Sequence, residues 1–319
     1  MPSDRATGRF VTPVPRAFAA LLVLILTLAS GLGSLVLPAQ NRFRAGVDVV
    51  SLGVTVVDRD GRLITDLTMD DFAIVEDGQP QSLRYFASGD GPPLHVGLLF
   101  DTSGSMLEAI DLSRTAAIKF LNALPDAEDM TLVDFDTEVR ISRYSQRDFP
   151  RLVERIRGRR PRGLTALYDA LGTYLAGAAE VEGRKVLVLY TDGGDTRSAL
   201  PWRDILTLLR ASDVTIYAVG FLDRRSFGSA ALERRRLEQI AQVTGGRAFF
   251  PRDAADIDEA YADVLAELRA QYSLGYVSTN TDRDGSWRDV DVAVTREDLA
   301  GARLRSRTGY FALFSNTVR

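Results

Sequence analysis

Several residue types that commonly carry catalysis or cross-linking are absent or nearly absent from this chain of 319 residues. There is no cysteine, which excludes a disulfide framework, a thiolate zinc site, a cysteine nucleophile and a lipid-modified cysteine. His95 is the only histidine, so Ser-His-Asp chemistry would have to rest on a residue at the start of a predicted strand. Neither a phosphate-binding P-loop nor a G-x-S-x-G elbow occurs in the sequence.

The chain also lacks a net positive charge. The formal net charge is −4, which provides no overall basic field for nucleic acid. Hydrophobic residues make up 45% of the chain, as in a globular protein, and its length has room for about two domains of ordinary size.

The N-terminus has the pattern of a targeting segment. Arg5, Arg9 and Arg16 precede the unbroken apolar run of residues 17–28, and small residues follow it. A basic lead, a short apolar run and small residues are typical of a secretory signal. The alternative is a retained anchor over residues 17–37, roughly 30 Å long as a helix, which would just span a bilayer. Residues 1–40 are thus predicted to be a signal peptide or a membrane anchor, and either places the rest of the chain outside the cytoplasm.

Two stretches are rich in β-branched residues and flank the middle of the chain. Residues 41–90 contain short apolar runs separated by Asp-Gly turns, which predict a small antiparallel sheet. The segment 89–93 (GDGPP) breaks this pattern and marks a domain boundary. Strand patterns return in residues 272–319, at 272–278, 290–295 and 304–313. Three strands alone make a marginal unit, so we expect them to pack with the strands of residues 41–90.

Between these flanks, residues 94–271 alternate strand and helix patterns. Residues 94–100 and 185–190 are almost continuously apolar, as expected for strands buried on both faces of a parallel sheet. The alternation predicts an α/β fold with a Rossmann-like, doubly wound parallel sheet, inserted in or flanked by the small antiparallel β domain. Ligands of such sheets sit beyond the carboxyl ends of the strands.

Oxygen-bearing side chains are found on three loops of this predicted sheet, and two of these loops directly follow strands. Their five residues are Asp101, Ser103, Ser105, Thr165 and Asp192. Two carboxylates and three hydroxyls are hard donors of the kind that Mg²⁺ prefers, and Mn²⁺ or Ca²⁺ would also suit them. An alternative interpretation is that the serines cap the following helix and the second aspartate ends a turn.

The D-x-S-x-S run, the later threonine and the later aspartate resemble the metal-ion-dependent adhesion site (MIDAS) of von Willebrand factor type A domains. Residues 95–270 look like such a domain, and its flanks resemble bacterial extracytoplasmic proteins related to that family. The flank traits are the N-terminal signal, the segment from Asp71-Phe72 to Glu76-Asp77-Gly78, the run YSLGY at residues 272–276, and the run RTGYF at residues 307–311.

The resemblance implies a Rossmann-like sheet with one Mg²⁺ at its upper edge. Ser103, Ser105 and Thr165 would contact the ion, with Asp101 and Asp192 acting directly or through water. An acidic side chain of a protein partner would complete the coordination.

These observations predict a metal-dependent protein-binding module rather than an enzyme, located outside the cytoplasm as a periplasmic, secreted or membrane-anchored protein of a bacterium. The predicted partner is a protein with an acidic side chain, not a nucleic acid. Two alternatives remain open at this point. One is a metal-assisted hydrolase with Asp134, Asp136 or Asp195 as its base. The other is a structural envelope protein in which the metal only stabilises the fold.

Overall fold

The structure of the chain is a computed structural model that describes residues 49–312, except residues 90, 125–126 and 223–226. The predicted targeting segment lies outside the described residues. Among the helices that are described, none combines the length and the apolar character needed to cross a membrane.

The described elements run through four strands, then an alternation of strands and helices, then four more strands. The strands are β1 (Val49–Val57), β2 (Phe72–Glu76), β3 (Gln79–Gln81), β4 (Leu83–Ser88), β5 (Leu94–Asp101), β6 (Asp129–Phe135), β7 (Val139–Ser145), β8 (Arg184–Thr191), β9 (Val214–Gly220), β10 (Ala248–Phe249), β11 (Tyr272–Val277), β12 (Trp287–Val294), β13 (Arg303–Arg305) and β14 (Gly309–Phe311). The helices are α1 (Ile110–Ala123), α2 (Phe149–Gly158), α3 (Leu167–Ala178), α4 (Trp202–Ala211), α5 (Phe227–Val243) and α6 (Ala254–Ala270).

Six strands form the central sheet of the described region, in the order β10-β9-β8-β5-β6-β7. All neighbouring pairs are parallel except the edge strand β7, which is antiparallel to β6. The central strands are buried on both faces because helices cover the sheet on each side. Along β5, successive side chains alternate between two apolar clusters, with Leu98 and Phe100 in one and Leu99 in the other.

Each face of the sheet has its own set of helices. Buried side chains of α1, α2 and α6 share one cluster with the sheet, and those of α3, α4 and α5 share the other. The central region is therefore doubly wound, as the alternation of patterns predicted. The carboxyl ends of β5, β6 and β8 lie at one edge of this sheet.

The flanking strands form two further antiparallel sheets, in the orders β13-β1-β11-β4 and β14-β12-β2-β3. In both sheets a strand from before the α/β region pairs with one from after it: β1 with β11, and β2 with β12. The predicted fold class is confirmed, with the mostly parallel sheet inserted between antiparallel strands.

The C-terminal run 304–313 differs from the single strand pattern of the sequence. It forms two short strands in different sheets, because β13 pairs with β1 and β14 pairs with β12. Residues 306–308 cross between the two sheets, and the side chain of Arg307 donates to the backbone oxygen of Ser51 there (2.7 Å).

A buried carboxylate joins the two antiparallel sheets. Glu76, at the end of β2, is almost fully buried and accepts hydrogen bonds from the hydroxyls of Tyr276 (2.7 Å), Tyr310 (3.0 Å) and Ser278. Tyr276 and Tyr310 belong to the YSLGY and RTGYF runs, so the three flank motifs of the sequence meet in one hydrogen-bond cluster. Burial of a carboxylate costs little free energy only when it is hydrogen-bonded in this way.

Replacement of Glu76 by alanine should destabilise the β domain, because it leaves two tyrosine hydroxyls without their acceptor. The expected loss in free energy of unfolding is about 3 kcal/mol, measured by urea titration. Glu76→Gln, which keeps an acceptor oxygen, should lose less, and Glu259→Ala on the exposed side of α6 is the matched control. Equal stability of the Glu76→Ala and Glu259→Ala variants would contradict the structural role of this cluster.

The division into domains stays a prediction, and the apolar clusters support it. The third cluster contains only residues of the flanking strands and their loops, whereas the other two contain none of these strands. Residues 94–271 expressed alone should therefore give a soluble product with a cooperative thermal transition. A product that is insoluble or melts without cooperativity would show that the flanking strands are needed for the α/β region to fold.

Candidate metal centre

The structure brings the three predicted loops together at the carboxyl edge of the central sheet. Strands β5 and β8 are parallel neighbours in register, with Phe100 opposite Tyr190, so Asp101 and Asp192 leave the sheet side by side. Thr165 lies on the loop just before α3. The order of strands, which the sequence motif does not contain, is what makes these loops neighbours.

Hydrogen bonds link the three loops to one another. The Thr191 hydroxyl donates to Asp101 Oδ2 (2.6 Å) and so connects the ends of β5 and β8. The first loop is joined to the second by Gly104 N to Gly163 O (3.1 Å) and Arg162 N to Thr102 O (2.9 Å). The second is joined to the third by Thr165 N to Thr196 Oγ1 (3.0 Å) and Thr196 N to Thr165 O (2.9 Å). The candidate site is therefore held by backbone as well as side-chain contacts.

Asp101 is fully buried, with 0% of its surface exposed. The pKa of its carboxyl is raised to about 7, mainly by burial and secondly by the nearby charge of Asp192. Hydrogen bonds from Ser103 and Thr191 act in the opposite direction, since they stabilise the ionised form. Within the described part of the chain no basic side chain pairs with Asp101. An ionised Asp101 beside Asp192 is thus an unfavourable arrangement that a bound cation would relieve.

The two serines lie at the start of the 3₁₀ helix Gly104–Glu108. Ser103 occupies the capping position of this helix, but its hydroxyl makes no capping hydrogen bond. Instead, Ser103 Oγ lies 3.0 Å from Ser105 Oγ, and Ser103 N donates to Asp101 Oδ1 (2.8 Å). The capping alternative of the sequence interpretation therefore does not account for Ser103, and the two hydroxyl oxygens lie close enough together to face one ion.

The structural contacts of Thr165 are made by its backbone and not by its hydroxyl. Its backbone N–H and C=O make the contacts to Thr196 and Arg197, which hold the loop in place. The side chain is buried, and its hydroxyl takes no hydrogen bond from or to any described residue. A side-chain hydroxyl without a hydrogen-bond partner among the described residues fits the role of a neutral oxygen ligand.

Asp192 is buried, and Gly194 N approaches its Oδ1 at 3.5 Å, so it also shapes the turn after β8. Gly193 has a φ of +84°, and a Cβ at this position would lie 2.7 Å from the Cβ of Glu233 on α5. The turn therefore requires glycine both for its conformation and for the close approach of the helix. The turn role of Asp192 and its candidate ligand role are compatible.

Two groups near the site were not identified as partners from the sequence. Thr191, which donates to Asp101, precedes Asp192 directly, and a hydroxyl residue at a strand end was the only signal for it. The second group is the set of arginines that surrounds Asp134. Its carboxylate is fully buried and accepts from Arg140 (2.8 Å), Arg155 (3.0 Å) and Arg159 (2.8 Å). The arginines come from β7, α2 and the loop after α2, so their convergence depends on tertiary structure.

The three carboxylates considered as bases are occupied by structural contacts. Asp134 accepts the arginine hydrogen bonds described above. Asp136 is also buried; burial alone would raise its pKa, but hydrogen bonds from Arg140 and from Glu138 N dominate and lower it. Asp195 Oδ1 accepts from Tyr168 N at the start of α3 (3.2 Å) and from the hydroxyl of Ser198 on the loop that follows β8.

His95 lies at the opposite end of β5 from Asp101, roughly 20 Å away at the usual rise of a strand. Its ring nitrogens contact Asp129 Oδ1 (3.2 Å) and Glu182 O (3.0 Å). The only histidine of the chain is therefore not part of the candidate site, in agreement with its predicted place at a strand start. Among the described residues no group of three or more acidic or histidine side chains could hold a metal, so any ion at this edge must rely on hydroxyls as well.

Comparison with known proteins gives one family and several structural likenesses. The family model of the von Willebrand factor type A domain matches residues 95–263. No curated protein matches the chain. A von Willebrand factor type A structure from Catenulispora acidiphila has 14% identity and a TM-score of 0.48, covering 86% of this chain and 76% of that one.

Two further structures are similar at the same level. The vWF domain of the type V pili tip protein Mfa5 from Porphyromonas gingivalis has 15% identity and a TM-score of 0.45, and covers 56% of this chain and 97% of that one. The pilus adhesin SpaC from Lactobacillus rhamnosus GG has 11% identity and a TM-score of 0.47, and covers 76% of this chain and 48% of that one.

The raised pKa of Asp101 predicts a pH dependence of stability in chelator-treated protein. A folded-state pKa of about 7, above the ordinary value of 3.8, means that the contribution of Asp101 to stability is full below about pH 4 and is lost as pH rises to about 7. Asp101→Asn mimics the protonated acid and should remove this fall. At pH 8 it should be more stable than the parent protein by on the order of 1–4 kcal/mol, measured by denaturant titration.

Asp291→Asn on the exposed face of β12 is the matched control, and it should follow the parent protein at each pH. Parallel stability curves for Asp101→Asn and the parent protein would mean that the buried carboxylate carries no electrostatic penalty.

Proposed function

The chain belongs to the von Willebrand factor type A domain family, and on that premise we propose that it is an extracytoplasmic module that binds a protein partner through a divalent cation. The cation, Mg²⁺ or alternatively Mn²⁺ or Ca²⁺, would be held by Asp101, Ser103, Ser105, Thr165 and Asp192. The observation that carries the proposal is the burial of Asp101 beside Asp192, where no basic side chain of the described residues pairs with Asp101.

The donor set fits a hard cation and also leaves it reactive toward an anion. The two carboxylates balance the two positive charges of the ion in formal terms. The three hydroxyls are neutral ligands, so they do not reduce the attraction of the ion for a further anion. When bound, Mg²⁺ would supply a Lewis-acidic position that attracts an oxygen anion from outside the protein. Thr191 holds the Asp101 carboxylate from the side of β8, and the backbone of Thr165 holds its loop, so the oxygen donors are fixed before the ion arrives.

Binding is favoured over hydrolysis by the state of the nearby carboxylates. A general base needs a free carboxylate with a pKa near the working pH. Asp134 is surrounded by arginines, the pKa of Asp136 is lowered, and Asp195 accepts hydrogen bonds at the start of α3. Asp134 and Asp136 are held by arginines, and one oxygen of Asp195 already accepts two hydrogen bonds, so a carboxylate of a partner is the better occupant of the open position.

Metal binding can be measured directly by calorimetric titration of Mg²⁺, Mn²⁺ and Ca²⁺ into purified protein, with and without saturating glutamate as a soluble carboxylate. We expect one ion per chain, bound more tightly in the presence of glutamate, and no binding by Asp101→Ala. Thr165→Ala should weaken the ion by roughly tenfold with no loss of fold, since the structural contacts of this residue use its backbone.

Thr165→Ser is the matched variant, because it keeps the hydroxyl and should retain the affinity. Circular dichroism of each variant establishes that the sheet is intact. If no ion binds even with glutamate present, the five residues are turn and loop residues only. An ion that raises the melting temperature but binds no more tightly with glutamate would instead support the structural envelope protein.

A further inference from the structure

We propose that the partner is recognised through a protein segment in which the metal-binding carboxylate is accompanied by a second acidic residue and an apolar side chain. This inference rests on the proposed function, because it concerns the surface around the same metal site. Its basis is the set of exposed side chains on the three loops that carry the candidate ligands.

Three exposed arginines border the site. Arg162 is 72% exposed, and its backbone N–H is bonded to Thr102 on the first loop, so its side chain emerges beside the site. Arg197 is also exposed, and its backbone N–H donates to Thr165 O (3.0 Å). Arg160 is exposed two residues before Arg162. All three emerge on loops that are bonded directly to candidate ligands or to their neighbours.

These arginines differ from the ones that surround Asp134. Arg140, Arg155 and Arg159 are mostly buried, and each donates to that fully buried carboxylate. Arg162 contacts only Asp136, at 3.4 Å, and most of its guanidinium remains in solvent. The exposed arginines are therefore available to a partner, whereas the buried ones hold the protein together.

The charge around the site would be positive once a divalent ion is present. The two charges of the ion would offset those of Asp101 and Asp192, and the exposed acid on the first loop is Glu108. This local excess occurs in a chain whose formal net charge is −4. A patch opposite in sign to the whole molecule favours approach of an acidic surface in one orientation. One carboxylate on the metal would leave the arginines without a counter-charge, so a second acidic residue is expected nearby.

Two exposed leucines border the same site. Leu107, two residues after Ser105, is 66% exposed, and Leu164, directly before Thr165, is 50% exposed. The exposed part of each leucine gains free energy when an apolar group of a partner covers it. A polyanion such as an acidic polysaccharide offers carboxylates but no matching apolar side chain. The combination of leucines with arginines therefore points to an acidic protein segment.

The test measures the binding of two synthetic peptides with blocked termini. Their affinity is determined by fluorescence anisotropy, once in Mg²⁺ and once in chelator. The first, Gly-Gly-Glu-Gly-Gly, carries one carboxylate, and the second, Gly-Asp-Glu-Leu-Gly, adds an acidic and an apolar neighbour. We expect both to require Mg²⁺, and the second to bind about tenfold more tightly at low salt. Polyglutamate serves as a polyanion without apolar side chains.

Variants of the bordering side chains then test whether these residues account for the higher affinity of the second peptide. Arg162→Glu and Arg197→Glu should each weaken the second peptide by about tenfold and flatten its salt dependence. The control is Arg62→Glu, an equally large charge change at a 79% exposed arginine of the β region, which should have little effect. Leu107→Ala or Leu164→Ala should lower the affinity for the second peptide by about threefold to tenfold. The control is Leu232→Ala on α5, a leucine that is 49% exposed, which should have little effect.

The outcomes distinguish the two levels of the proposal. If neither peptide requires Mg²⁺, the metal-dependent function itself fails. If both require Mg²⁺ but bind equally well, or if the arginine and leucine variants behave like their controls, the function stands and this inference is overturned. Binding of polyglutamate that exceeds that of the second peptide and is insensitive to Leu107→Ala would overturn it in favour of a polyanionic partner.

Discussion

The hydrogen bond from Thr191 to Asp101 is the contact on which the candidate site depends. It joins the carboxyl ends of two neighbouring parallel strands and fixes one oxygen of a carboxylate that is completely buried. The nearby charge of Asp192 opposes ionisation of that carboxylate, so the arrangement costs free energy in the absence of a cation. The buried carboxylate therefore lowers the stability of the fold at one point of a sheet that otherwise packs in apolar clusters.

Contacts in the surrounding structure offset this loss of stability. Bonds between Gly104 and Gly163 and between Thr165 and Thr196 hold the loops through the backbone, and they do not depend on the side chains that would bind an ion. Side-chain hydrogen bonds from the arginines to Asp134 hold the end of the neighbouring strand β6, and they too do not involve the candidate ligands. The candidate oxygen donors are therefore positioned by loops whose backbones are hydrogen-bonded to one another.

The β domain also contains a buried carboxylate that is supplied with hydrogen bonds. Glu76 comes from before the inserted α/β region and accepts from the hydroxyls of Tyr276, Ser278 and Tyr310, which all come from after it. Arg305 of β13 also pairs with Glu267 of α6 (2.6 Å), which links the inserted region to the sheet that receives the chain after it. The flank motifs are thus accounted for by strand pairing rather than by a second binding site.

Local patterns in the sequence determined the class of fold and the identity of the five candidate residues. Apolar runs and helical periodicity depend on neighbours within a few residues, so β5, β8 and most helices could be predicted from the chain alone. The division of 304–313 between two sheets, the donation from Thr191 and the arginines around Asp134 could not, because each depends on residues brought together by strand order. Tertiary structure likewise decided that Ser103 makes no capping bond and that Leu107 and Leu164 remain exposed. Contacts between distant segments have no local signature, and they decide which oxygen atoms face one another and which side chains meet a partner.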